Sequence, residues 1–131
     1  MKTLSKILVV ILAGALTFGT AFAGSMAARF GNTVVATSPD GSVTKFFYDA
    51  DGKVAVTIEA GGKTVLTSKG TWRQDGTKVC LTLDPGFGPF VTGTERCIPL
   101  NGDKIGDSWT TPGVDAAGKP ISVAVSIVQG R

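Results

Sequence analysis

Pro-Ile-Ser-Val-Ala-Val-Ser-Ile-Val, residues 120–128, alternates apolar with small or polar side chains over its whole length. Ile121, Val123, Val125 and Ile127 share one face, and Ser122, Ala124 and Ser126 share the other. A strand with one buried face needs this period of two, because successive side chains point to opposite sides of the pleat. The signal recurs upstream. Val54, Val56 and Ile58 alternate with Ala55, Thr57 and Glu59, and Val79, Leu81 and Leu83 alternate with Cys80 and Thr82. Beyond Gly31 no stretch carries apolar residues at helical spacing for three turns, so the chain predicts an all-β domain.

Strands are predicted at 32–37, 42–48, 53–59, 63–73, 78–83, 90–98, 104–110 and 120–128. Pro39-Asp40-Gly41, Asp51-Gly52, Gly61-Gly62 and Asp75-Gly76 supply turns between the first five, at a spacing that suits consecutive antiparallel hairpins better than crossovers. An antiparallel meander of about eight strands is therefore expected. It is expected to close into a small up-and-down barrel, which removes exposed edges, with a two-sheet sandwich as the alternative. Cys80 falls on the face opposite Leu81 and Leu83, away from the middle of the main core.

The first 23 residues read differently. Lys2 and Lys6 precede an apolar run ending in Ala21-Phe22-Ala23, the pattern of a cleavable secretory signal peptide. The run is broken by Gly14 and Gly19 and falls short of the roughly 20 residues needed to span a bilayer. Residues 24–131 are then one β domain, expected to be a soluble monomer that is secreted, in the periplasm. No cysteine follows the apolar run, which closes the lipoprotein route. Residues 26–30 are expected to form a loose N-terminal tail.

Charge and composition exclude several classes of function. The chain has 13 basic and 10 acidic residues, and loss of the leader takes Lys2 and Lys6 with it. The near-neutral remainder gives no electrostatic reason to expect nucleic acid or an acidic membrane surface as partner. The 131 residues contain no His, which removes Ser-His-Asp and Cys-His nucleophiles, His-ligated zinc and histidine pH switches. Cys80 and Cys97 are the only cysteines. In an exported domain they predict one disulfide, since there is no C-x-x-C spacing and two thiolates are only half a zinc site. Neither a metal nor a cofactor is expected.

Carboxylate chemistry finds little support. Asp40, Asp51, Asp75 and Asp103 each adjoin a glycine and read as turn formers. Glu59 lies opposite Ile58 on the solvated face of its strand, and Glu95 is the other strand glutamate. Asp49-Ala50-Asp51-Gly52 resembles the start of a calcium loop but lacks the acidic residue at the twelfth place, where Ala60 stands. There is no G-x-S-x-G elbow.

Aromatic residues are the better candidates. Phe87 and Phe90 sit in the Gly- and Pro-rich connection 84–90, either as a contact loop for a ligand or partner or folded back to plug one end of the barrel. Trp72 and Trp109 either close the core or stack on a ligand from one inner face. Lys45-Phe46-Phe47-Tyr48 forms an aromatic cluster with one basic neighbour, too little for a nucleic-acid footprint.

Gly-Asn-Thr-Val-Val (31–35), Tyr-x-x-Asp-Gly (48–52), Gly-Thr-Trp (70–72), Val-Cys-Leu (79–81), Cys97 and Gly-Asp-Ser-Trp (106–109) together resemble the small secreted alphaproteobacterial proteins of unassigned function. That resemblance covers most of residues 24–131 and implies no catalytic residues. In layout the chain is also similar to the periplasmic barrel inhibitors of secreted metalloproteases, which would place residues 24–30 in a protease cleft. Gly-Thr-Trp is similar to the lipocalin G-x-W signature, although that motif belongs at the first strand and Trp72 lies mid-chain. The expected function is non-enzymatic binding of a small apolar ligand or an envelope partner through Phe87, Phe90, Trp72 and Trp109. Protease inhibition through the N-terminal segment is the alternative, and a carboxylate hydrolase is a third possibility.

Overall fold

A computed structural model describes residues 25–115 and 117–131. The predicted leader lies outside the described residues. Among the described residues eight strands form, β1 (Thr33–Thr37), β2 (Val43–Tyr48), β3 (Lys53–Ala60), β4 (Lys63–Asp75), β5 (Lys78–Asp84), β6 (Arg96–Pro99), β7 (Ser108–Val114) and β8 (Pro120–Val128). They make one antiparallel sheet in the order β6-β5-β4-β3-β2-β1-β8-β7. The first and last strands of the series pair, Val34 opposite Ile127 and Ala36 opposite Val125. The meander curls into a half-barrel, and its two edges, β6 and β7, are consecutive in the chain.

Proline explains why these two strands are the edges. Pro99 ends β6 and Pro112 lies within β7. A residue without an N–H weakens a ladder shared on both sides but is tolerated where one side is unpaired.

Two predicted strands are misplaced. The sixth begins at Arg96, not at residue 90. Residues 90–94 fold as turns, in which Phe90 N–H donates to Phe87 O, Gly93 N–H to Leu83 O and Thr94 N–H to Val91 O. The seventh runs over Ser108–Val114, not 104–110, because Pro112-Gly113 reads as a breaker in sequence and is absorbed by an edge strand in space. The expected loose tail is also corrected. Ala27–Arg29 forms a 3-10 turn, and Met26 and Arg29 are buried.

The inner face follows the alternation. Val34, Phe46, Tyr48, Val54, Val56, Val79, Leu81, Leu83, Val125 and Ile127 form the core together with Met26, Phe90 and Leu100. Full burial of each such side chain contributes about 1.5–3 kcal/mol. Gly70 stands where a Cβ would strike the Thr82 backbone carbonyl, so β4 and β5 approach closely only because that side chain is missing.

The disulfide joins Cys80 and Cys97, directly opposed on β5 and β6. Cys80 shares its face with Arg73, as alternation predicts, yet it is buried. Arg73 grips Glu95 through Nε and Nη2, both at 2.8 Å, beside the bridge. This pair lowers the Glu95 carboxyl below its ordinary range. On the same outer surface Glu59 meets Lys45 at 3.2 Å, in the half-exposed position the period assigned to it.

Candidate functional site

The strands run between two ends. Turns 38–42 and 61–62, the turn closed by the Asp115 and Lys119 backbones and the long connection 85–95 lie at one end, the mouth. The other end holds the 49–52 turn, the 100–107 connection and the N-terminal 3-10 turn. Between the two edge strands lies a cavity of about 170 Å³. Ile98 and Pro99 of β6 line one side and Trp109, Thr111 and Gly113 of β7 the other, with Val34, Phe46 and Val125 behind. At the mouth, Ser38, Thr44, Phe87, Gly88 and Val114 also border a wider groove of about 740 Å³.

The connection 85–95 covers the mouth because it is tied to the barrel. Ser68 Oγ donates to Pro85 O at 2.6 Å, and Gly86 N–H donates to Thr92 Oγ1 at 2.7 Å. These bonds set the Phe87 and Phe90 rings 5.3 Å apart. Phe90 is buried in the core and Phe87 is half-buried, and both line the cavity. Both rings fold back against the barrel, as the plug reading expects, and the same side chains form part of the cavity wall.

The tryptophans separate. Trp109 lines the cavity. Trp72 stands elsewhere, 5.7 Å from the Phe30 ring and edge-on to Tyr48 at 6.1 Å, with its indole N–H donating to Asp49 O at 2.8 Å. That bond satisfies the one polar atom of the indole and fixes it as packing at the closed end. Three of the four predicted contact residues thus surround one space and the fourth does not.

Two cavity residues escaped the sequence reading, Arg29 and Tyr48. Arg29 is only 3% exposed. Its Nη1 donates to the carbonyls of Ser25 at 3.2 Å and Gly102 at 3.0 Å, and its Nη2 to that of Asn101 at 2.6 Å. Its guanidinium lies 5.7 Å from the centroid of the Trp109 ring, a cation–π arrangement. Gly102 makes room for it, since a Cβ there would run into the Trp109 ring and its φ is +73°. No carboxylate pairs with Arg29 among the described residues. Burial pulls its pKa below the ordinary arginine value, opposed by Tyr48 and by Asp103 and Asp107.

Tyr48 is 2% exposed. Among the described residues its backbone carbonyl accepts from Arg131, and its hydroxyl has no hydrogen-bond partner. Burial pushes the phenol upward, against a weaker pull from the Arg29 charge, so it stays protonated and able to donate. The position could have been read from alternation, which sends Tyr48 to the same side as Phe46. The burial of Arg29 left no such signal, because it depends on loop carbonyls more than 70 residues away.

Among the described residues one carboxylate–sulfur cluster forms, Cys80, Glu95 and Cys97, and both of its sulfurs are consumed in the disulfide. No helix among the described residues is long and apolar enough to cross a membrane. The disulfide fits an oxidising compartment. No protein-family model, curated protein or solved structure matches the chain.

Proposed function

We propose that the protein is a non-enzymatic, exported binding protein that holds a small, largely apolar molecule between its edge strands. One observation carries this: an aromatic-walled cavity of about 170 Å³ whose buried polar groups, Arg29 and Tyr48, lie at its closed end, with only the hydroxyls of Ser38, Thr44 and Thr111 elsewhere along it. An apolar cavity of roughly 150 Å³ takes up benzene, so this space suits a ligand with a body of that size. Phe87, Phe90 and Trp109 are the contact residues, and Trp72 acts as their support at the base.

The N-terminal segment supports this reading over protease inhibition. An inhibitory arm must project into a cleft, whereas Met26 and Arg29 are buried against the barrel. Native mass spectrometry of the protein taken from its own envelope, paired with toluene titration followed by tryptophan emission, tests the proposal. A bound small molecule and a saturable toluene response are expected. An unliganded mass together with no response to toluene overturns it.

A further inference from the structure

The cavity's polar end is unbalanced in a way that specifies a ligand. Arg29, a residue only 3% exposed, carries a full positive charge, and three backbone carbonyls and an indole face are the partners of its guanidinium. Carbonyl dipoles orient the group without neutralising it, Asp103 and Asp107 act on it only through space with no ion pair formed, and a buried charge without a paired counter-ion is costly. Beside it stands a phenol, 98% buried, whose hydroxyl donates to nothing among the described residues. An unsatisfied buried donor is costly, so a native fold keeps one only where something else accepts from it. Both deficits face one space, and one group cures both: an anion with two acceptor oxygens.

From this juxtaposition of Arg29 and Tyr48 in an apolar cavity we infer that the ligand is a small monocarboxylate with a compact, preferably aromatic, body. The ligand enters through the mouth beside Phe87 with its carboxylate leading. One carboxylate oxygen accepts from the Arg29 guanidinium, the other from the Tyr48 hydroxyl, and the ring lies among Phe46, Phe90, Trp109 and Val125. The charge count selects a monoanion, because one buried cation neutralises one negative charge and a phosphate dianion would leave a net buried charge. Size selects a body near that of benzene, by the volume comparison above.

This ligand class presupposes that the cavity binds a small molecule at all, and the test keeps the two questions apart. Benzoate, its neutral isostere benzamide, and toluene are titrated by calorimetry into the wild type, Tyr48→Phe and Arg29→Gln. Benzoate is expected to bind at least tenfold more tightly than benzamide or toluene. Tyr48→Phe removes only an unbonded hydroxyl, so it folds normally, weakens benzoate roughly tenfold and leaves toluene unchanged. Arg29→Gln, if folded, abolishes the preference for benzoate. Equal binding of all three probes, or benzoate binding indifferent to Tyr48→Phe, overturns the carboxylate inference and leaves the cavity reading standing. Failure of all three probes to bind overturns both.

Discussion

The Arg29 guanidinium and the Trp109 ring, 5.7 Å apart, connect the N-terminal segment to the edge strand β7, which no hydrogen-bonded ladder joins to β6, the strand before it in the chain. Arg29 also bonds the carbonyls of Asn101 and Gly102 in the connection between the two edges. One side chain thus ties the open side of the half-barrel at its closed end. Replacing it with Met is expected to cost about 2–4 kcal/mol, from lost hydrogen bonds and lost packing of the stem. Lys does not restore it, because an ammonium lacks the planar fork and stacks poorly. Urea unfolding of Arg29→Met and Arg29→Lys checks this, and near-wild-type midpoints in both would refute it.

The connection that receives Arg29 is itself organised by a carboxylate. Asp107 Oδ2 accepts from the Asp103 N–H at 2.9 Å and the Lys104 N–H at 3.1 Å, and these bonds hold its carboxyl below the ordinary range. A depressed folded-state pKa means that the unfolded chain binds the proton more readily. The contribution is therefore complete above the unfolded value of about 3.9 and fades as pH falls through the lower folded value. Thermal unfolding of wild type and Asp107→Ala is expected to differ at neutral pH, with the gap closing in acid. A gap independent of pH would count against the assignment.

Much of this fold was legible because the inner strands bury one face and expose the other. Ile121 to Ile127 and Val54 to Ile58 announce their registers without any tertiary information. The misplaced elements are those governed by contacts across the chain. Phe90 and Val91 look like a strand, yet the Phe90 N–H turns back to Phe87 and the Gly93 N–H reaches Leu83. Pro112 looks like an end and lies inside an edge strand, opposite Ser122. At the site, aromatic composition pointed to Phe87, Phe90, Trp72 and Trp109, of which all but Trp72 line the cavity. Arg29 was hidden because its burial is decided by residues 101 and 102.

The disulfide spans 17 positions in sequence and clips the short edge strand β6 onto β5. In the chain-entropy model a loop of this size contributes about 3 kcal/mol. The double variant Cys80→Ser/Cys97→Ser is expected to lose about that much in urea unfolding. Its loss should concentrate in β6 and the connection 85–95, read as faster amide exchange there than in β1 to β3.

The two tryptophans allow the cavity to be observed separately from the base. With toluene present, Trp72→Phe is expected to keep the emission change of the wild type, because Trp109 lines the cavity. Trp109→Phe is expected to lose it, since Trp72 is occupied by Phe30, Tyr48 and the Asp49 carbonyl. The opposite pattern would move the binding space to the Trp72 side.

Phe87 and Phe90 touch each other but stand in different surroundings, and truncation should separate wall from gate. Phe90 is 7% exposed and belongs to the core, so Phe90→Ala is expected to cost about 3–5 kcal/mol by the usual transfer and cavity terms. Phe87 is half-buried at the border between the cavity and the outer groove, where water already reaches part of its ring. Phe87→Ala is therefore expected to cost only about 1–2 kcal/mol, while widening the mouth. A wider mouth loses wall contacts with a bound ligand and also releases it sooner, so the effect should be larger in the dissociation rate than in the association rate. Stopped-flow toluene or benzoate release from Phe87→Ala, set beside urea unfolding of both variants, reads the two quantities independently. Equal stability losses with unchanged release would make Phe87 part of the core alone.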